Sequence, residues 1–313
     1  MRVAALDLGT NTTRLLVADV ADGHVDEIVR RTAITRLGEG VDHRRRLLPT
    51  ALARVRNTLV DYRRETERLG AERSLLVATS AVRDAENGEA FLGEIEWSYG
   101  FATRLVDGDE EAELAFRGVA SSGLVTGRTL VLDVGGGSTE VVVGGPDGVE
   151  QAVSLQIGSV RLTERFVASD PPAPTELAAL RAHARDVFPA LRADHAIGVA
   201  GTVTTIAALD LGLDEYDRDR VHGHRLTIDA VETQLARLAA LPLEERLRIP
   251  ALEPGRAPVI VAGAAIVAEA MAACEIAELV ASEHDLLDGV ALAAAELPEP
   301  EEGAVPPGAY TAC

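Results

Sequence analysis

One short pattern is written twice in this chain, as VAALDLGTNT around Asp7 and as LVLDVGGGST around Asp133. Each copy is an apolar run, then Asp, an apolar residue, Gly, two small or polar residues and a hydroxyl. A second apolar run follows each, TRLLVADV after the first and EVVVG after the second. Both therefore read as a strand, a tight glycine turn and a returning strand. A single D-x-G-x-x-[ST] is ordinarily only a hairpin. Two copies roughly half a chain apart instead imply two related lobes closing on one ligand. A turn of small residues lets backbone N–H groups and hydroxyls approach an anion closely, and an acid at the strand end can hold a divalent cation against it. The ligand expected from the repeat is a phosphate.

Between the repeats, apolar runs of strand length alternate with helical patterns. A loop with HRRR at 43–46 is followed by a helix from about 50 to 69. SLLVATS then reads as a strand, AVRDAENGEAFLGEI as one helix, FATRLVD as a strand and GDEEAELAFRGVASS as a helix. The second lobe restarts at Thr129, and AIGVAG at 196–201 adds a strand. Residues 257–281 read as a buried, Ala-rich helix. This alternation predicts an α/β fold with a mixed sheet in each lobe. The domains expected are 1–124, 125–297 and a disordered acidic, Pro-rich tail at 298–313.

With 47% hydrophobic but only 3% aromatic residues, the core must be aliphatic. A formal charge of −20 argues against non-specific binding to nucleic acid or to an anionic membrane. The charge is uneven: residues 1–73 carry 14 Arg against 11 acids, so a polyanion should prefer the N-terminal lobe. All 30 basic residues are Arg, which rules out a P-loop lysine and lysine-nucleophile chemistry and favours bidentate phosphate contacts. Cys274 and Cys313 give no disulfide framework or CxxC metal site. The N-terminus shows no signal-peptide pattern, and the most apolar stretch is broken by Glu269, so a cytoplasmic protein without a membrane span is expected.

Four segments could carry chemistry. In ATSAVRDAEN, Ser80 can cap a helix whose first turn holds Arg83, which reads equally as a phosphate contact or as a surface arginine paired to Asp84 or Glu86. GDEEAELAFRG clusters Asp109, Glu110, Glu111 and Glu113 at a helix start. Acids gather there for dipole reasons alone, yet one could be a general base, and spacing does not choose among the four. DVGGGSTE brackets Gly135, Gly136, Gly137 and Ser138 with Asp133 and Glu140, an arrangement suited to Mg²⁺; Asp7 is the corresponding acid of the first turn. In GVAGTVTTIAALD, Gly201 and Thr202 sit between a strand and a helix, as an anion contact or as an ordinary capped turn.

These runs, together with SLQIGSVRLTERF, VHGHRLT, RAPVIVAGAAIV and SEHDLLDG, resemble in order the exopolyphosphatase and guanosine pentaphosphate phosphatase (Ppx/GppA) family, from residue 1 to about 297. The resemblance implies two ribonuclease-H-like lobes of the actin-like superfamily, with a site in the cleft between them and the last helix, near 289–297, crossing back to lobe one. It implies Mg²⁺-dependent hydrolysis of a terminal phosphate. By the family's G-x-E-E-A motif the catalytic glutamate is Glu111, and by its D-[IV]-G-G-G-S-T-E motif the metal-handling acids are Asp133 and Glu140. The family's G-S-N-S phosphate loop is here Gly9, Thr10, Asn11 and Thr12, where Thr keeps the hydroxyl and adds a methyl. The arginine of A-T-S-A-x-R is Arg83.

Longer family members add C-terminal helical segments and often L-R-E-G where this chain has Leu286 to Gly289 as LLDG. The form here resembles the short exopolyphosphatase branch, so inorganic polyphosphate, in short chains, is the expected substrate. Guanosine pentaphosphate at the same site is the alternative. A sugar-kinase-like transfer and a non-catalytic alarmone or nucleotide sensor are more remote, and a homodimer is compatible with all of these.

Overall fold

A computed structural model describes residues 1–298; the remainder of the expected disordered tail, with Cys313, lies outside the described residues. The chain forms two compact units. One comprises residues 1–122 together with residues 286–298, and the other Gly123–Asp285.

The first unit begins with β1 (Arg2–Leu8), β2 (Thr12–Ala21) and β3 (His24–Ile34), an antiparallel meander. The sequence reading named only the first two of these strands. The third was legible, because the β2–β3 loop is Asp22-Gly23, with φ of 50° and 78° at its two residues, the backbone a two-residue hairpin requires. A single turn, α1 (Val41–Arg44), and the long α2 (Pro49–Leu69) lead to β4 (Arg73–Ala78). Next come α3 (Ser80–Arg83), α4 (Gly88–Tyr99), β5 (Ala102–Leu105) and α5 (Gly108–Ser121). Strands β4 and β5 add parallel to β1, giving the order β3-β2-β1-β4-β5.

The expected single helix over AVRDAENGEAFLGEI is two. The chain turns back between them so tightly that a Cβ on Gly88 would stand 2.1 Å from the Val82 carbonyl oxygen. Asn87, at this break, uses its side chain on the backbone of Leu47.

The second unit repeats the arrangement. Strands β6 (Thr129–Val134), β7 (Thr139–Gly145) and β8 (Gly148–Leu155) form the meander, followed by α6 (Ser159–Phe166) and α7 (Pro174–Val187). Then come β9 (His195–Val199), α8 (Ala200–Asp210), α9 (Arg218–Val221), β10 (Arg225–Thr227), α10 (Ile228–Ala239), α11 (Leu243–Arg246), α12 (Ile260–Ala273) and β11 (Glu278–Ala281). The order is β10-β11-β9-β6-β7-β8, with β6 in the place of β1, β9 in that of β4 and β11 in that of β5. The stretch expected as one helix over 257–281 thus ends at Ala273. Glu275 takes a positive φ of 55°, and the residues beyond it pair as β11 with β9 and β10.

Chain returns to the first unit as α13 (Leu286–Ala295). The first sheet is covered on both faces, with the period of two that a buried strand imposes. Ala4, Leu6 and Leu8 point into the core under α2 and α4, while Val3 and Ala5 point into the core under α5 and α13. Helices α5 and α13 touch closely at Gly289, where a Cβ would lie 1.9 Å from the Leu114 carbonyl oxygen. Arg30 of β3 bonds both oxygens of the buried Asp288, at 2.9 and 3.0 Å.

Candidate active site

The two glycine turns are the same turn. Gly9 donates its N–H to the Thr12 carbonyl at 2.9 Å, and Gly135 donates to the Ser138 carbonyl at 3.1 Å. Each is supported by a glycine just beyond the third strand. A Cβ on Gly38 would meet Thr10 Cγ2 at 2.3 Å, and one on Gly158 would meet the Gly136 carbonyl at 2.4 Å. Thr10 and Gly136 hold equivalent places in the two turns. The paired supports, Leu37-Gly38 and Ile157-Gly158, whose glycines lie four residues beyond β3 and three beyond β8, are a second repeat that the sequence reading missed.

Backbone donors fix these turns. Thr35 and Arg36 donate to the Asn11 carbonyl, and Gly38 to that of Thr10. In the second unit, Ser159 donates to the Gly135 carbonyl, Val160 and Arg161 donate to that of Gly136, and the buried Arg161 donates from Nε to the Gly137 carbonyl at 2.7 Å. Sequence alone does not single out Arg161, which lies in SLQIGSVRLTERF, as a support of the turn. With their carbonyls engaged from behind, these turns are held in shape for an anion on the N–H side.

The duplication breaks at one position. In the first hairpin Asp7 stands opposite Arg14, and Arg14 Nε donates to Asp7 Oδ2 at 2.8 Å. In the second, Asp133 stands opposite Glu140. Residues facing one another across a ladder share one face of the sheet, and like charges there are destabilising. Both acids are buried, at 7% and 1% exposure, and Ser154 donates its hydroxyl to Glu140 at 2.8 Å. Such a pair suits Mg²⁺, which takes one or two carboxylates and completes its shell with waters and phosphate. Among the described residues no group of three His, Cys, Asp or Glu side chains forms a closed cage. The first unit, with Arg14 in place of an acid, holds no equivalent pair, and Asp7 is engaged by its arginine.

Of the four acids at the start of α5, the structure separates the roles. Asp107 caps the helix, accepting from the N–H groups of Asp109 and Glu110, and Glu110 reaches back to the Asp107 N–H in a capping box. Asp109 and Glu113 are exposed, whereas Glu111 is buried. Arg83 donates from Nη1 to the Val106 carbonyl at 2.7 Å and lies 3.3 Å from Glu111 Oε2. Its Nη2 is buried without a hydrogen-bond partner among the described residues.

Gly201 is the second residue of α8, after Ala200, which has a φ of 63°; a Cβ on Gly201 would overlap the Arg256 guanidinium. Thr202 spends its hydroxyl on the Val134 carbonyl at 3.1 Å, tying α8 to the end of β6, so what it retains for an anion is its backbone N–H. The first unit thus brings together Gly9–Thr12, Arg83 and Glu111, and the second Asp133, Glu140, Gly135–Ser138, Gly201 and Thr202.

Two units that share a five-strand order, the second with β10 added, each bearing a glycine turn at the tip of its first hairpin, have a fold of the ribonuclease-H-like class. Within that class the sequence matches the Ppx/GppA phosphatase family over residues 16–297, and the chain belongs to that family. It is 41% identical over 316 aligned positions to Exopolyphosphatase 2 of Mycobacterium tuberculosis, covering 94% of this chain and 98% of that protein. The crystal structure of an exopolyphosphatase-like protein aligns with a TM-score of 0.88 at 37% identity, covering 93% of this chain and 97% of that one. The Aquifex aeolicus Ppx/GppA family member aligns with a TM-score of 0.79 at 34% identity, covering 95% and 99%. Among the described residues no helix is long and apolar enough to cross a membrane.

Proposed function

We propose that this chain is an exopolyphosphatase that hydrolyses the terminal phosphoanhydride bond of inorganic polyphosphate with the help of Mg²⁺. The observation that carries the reading is the buried Glu111 beside Arg83, in the unit that also bears the Gly9–Thr12 turn. A carboxylate kept from solvent next to an arginine suited to phosphate supports a role in orienting water over that of an ordinary acid at a helix start.

In this reading the N–H groups of Gly9–Thr12 and of Gly135–Ser138, with Arg83, bind phosphate oxygens. Asp133 and Glu140 would hold Mg²⁺, which when bound neutralises charge on the phosphate oxygens. Gly201 and Thr202 add backbone donors. Glu111 accepts a proton from water as the water oxygen bonds to the terminal phosphorus; the bridging P–O bond breaks, and the shortened chain leaves with the bridging oxygen. Phosphoryl transfer asks for little covalent help, so positioning and charge neutralisation supply most of the acceleration.

The test is phosphate release from polyphosphates of defined length, beside guanosine pentaphosphate and ATP, with Mg²⁺ and with a chelator. The expected result is metal-dependent release that is fastest from polyphosphate, and the length series reads the expected preference for short chains. Release from guanosine pentaphosphate alone, or from nothing, would overturn the proposal.

A further inference from the structure

The segment after β3 has no part in the reaction just described, yet it starts against the first glycine turn and ends beside Arg83. At its start, Arg36 donates its N–H to the Asn11 carbonyl at 2.9 Å and Gly38 donates to the Thr10 carbonyl at 2.8 Å. Beyond α1, the Arg45 carbonyl accepts from the Glu86 N–H at 2.8 Å, and its guanidinium lies 3.9 Å from Asp84, the neighbour of Arg83. Asn87 then grips Leu47 through both its side-chain oxygen and nitrogen, at 2.8 and 3.2 Å. Both ends are thereby fixed to the backbone that presents the candidate phosphate groups of this unit.

Along this strap Arg36, Arg44 and Arg46 are exposed, and among the described residues none of the three is in an ion pair. The acids around them are committed elsewhere: Glu39 pairs with Arg54 at 3.0 Å, Asp84 faces Arg45, and Asp42 is also engaged. The chain carries 50 acids against 30 arginines, so unpaired guanidinium groups concentrated on one segment are an exception to its charge balance. Their position next to a phosphate-binding turn gives that exception a purpose.

We propose that residues 36–46 form the track for the phosphates that lie beyond the one being removed, with Arg36, Arg44 and Arg46 as its contacts. The proposal rests on the polyphosphate reading above and adds where the rest of the chain runs. A polymer that offers nothing but charged oxygens is recognised by guanidinium groups spaced along a path. A nucleotide, whose phosphates stop at a nucleoside, gains little from such a path.

Two double variants test it, Arg44→Gln with Arg46→Gln and Arg44→Glu with Arg46→Glu; both positions are exposed, and an unchanged unfolding midpoint verifies the fold. KM is measured on tripolyphosphate and on long-chain polyphosphate. Binding of long-chain polyphosphate is measured across a salt series with Glu111→Gln also present, so that the ligand stays intact. Charge reversal should raise KM for the long chain about ten-fold more than for tripolyphosphate, and the slope of log affinity against log salt should fall by roughly one to two. Equal changes at both lengths, or none, would overturn the track. A wild-type chain that released no phosphate from either substrate would sink the polyphosphate reading itself. The track would then be judged by binding alone, supported by a loss of long-chain affinity in the double variants and overturned by its retention.

Discussion

At Asp7 and Arg14 a single residue decides what a repeated turn can do. With Arg14 at 15% side-chain exposure and Asp7 at 6%, the pair is shielded from solvent, and it replaces the acid pair that the second unit keeps as Asp133 and Glu140. Arg14→Met should therefore destabilise the protein by on the order of 3 kcal/mol, since removing one partner of a buried pair strands the other charge. Urea unfolding at neutral pH measures this, and a loss below about 0.5 kcal/mol, as at an exposed pair, would contradict it. The candidate residues were largely legible because hydroxyls, glycines and acids recur at fixed spacing. What spacing could not show was which acid of the α5 cluster is buried. That depends on Asp107 and Glu110 capping the helix, which turns Glu111 inward beside Arg83. Arg14 and Arg161 were missed for a related reason: an arginine in a strand or helix reads as a surface residue until its partner, distant in sequence, is known.

The elements that shape the turns make a graded prediction. A methyl group on Gly158 would collide with the backbone of Gly136 and Gly137, which cannot rotate away, whereas one on Gly38 would meet the Thr10 side chain, which can. Gly158→Ala is expected to cost about 1–3 kcal/mol and to raise KM, with Gly38→Ala milder on both counts; thermal unfolding and steady-state kinetics read the two effects. The reverse ranking would mean that the second turn is not the stiffer one. At the start of α7, Glu176 accepts from the Ser169 hydroxyl and from the Ala173 N–H, which hold its pKa down to about 2 from an ordinary 4.5. A depressed carboxylate stabilises the fold above its unfolded pKa and loses that contribution as pH falls through its folded one. The Tm advantage of wild type over Glu176→Gln should accordingly be full at pH 5 and fade toward pH 2. A constant gap would remove Glu176 as the cause. Strands β1, β2, β4, β5, β6, β7 and β9 were readable from apolar runs, whereas β3, β8 and β10 went unread and β11 was expected as helix. The breaks at Asn87 and Glu275 were not readable either, because each depends on contacts that the local pattern does not carry.

For the molecule as a whole, the duplication is the organising fact, and it was visible from the two turns alone. The return of the chain to the first unit rested on resemblance. In the structure it follows from packing: Leu287, Val290, Ala291 and Ala294 of α13 cover the sheet face that holds Val3, Ala5, Leu75 and Val77. A chain ending before Leu286 would leave that face bare and take from Arg30 its Asp288 partner, while Glu27 remains. Such a truncation should lose hydrogen-exchange protection in β1 and β4 while β6 and β9 keep theirs, and intact protection in β1 would show that α13 is dispensable.

The central claim is that the buried carboxylate of Glu111 activates water beside bound phosphate. Its most direct test compares Glu111→Gln with wild type for phosphate release and for polyphosphate binding under identical Mg²⁺. The account predicts that turnover falls by roughly 10²–10⁴ while affinity stays within about three-fold, since the amide keeps the shape but cannot take a proton. Near-native release by the Gln variant would contradict it.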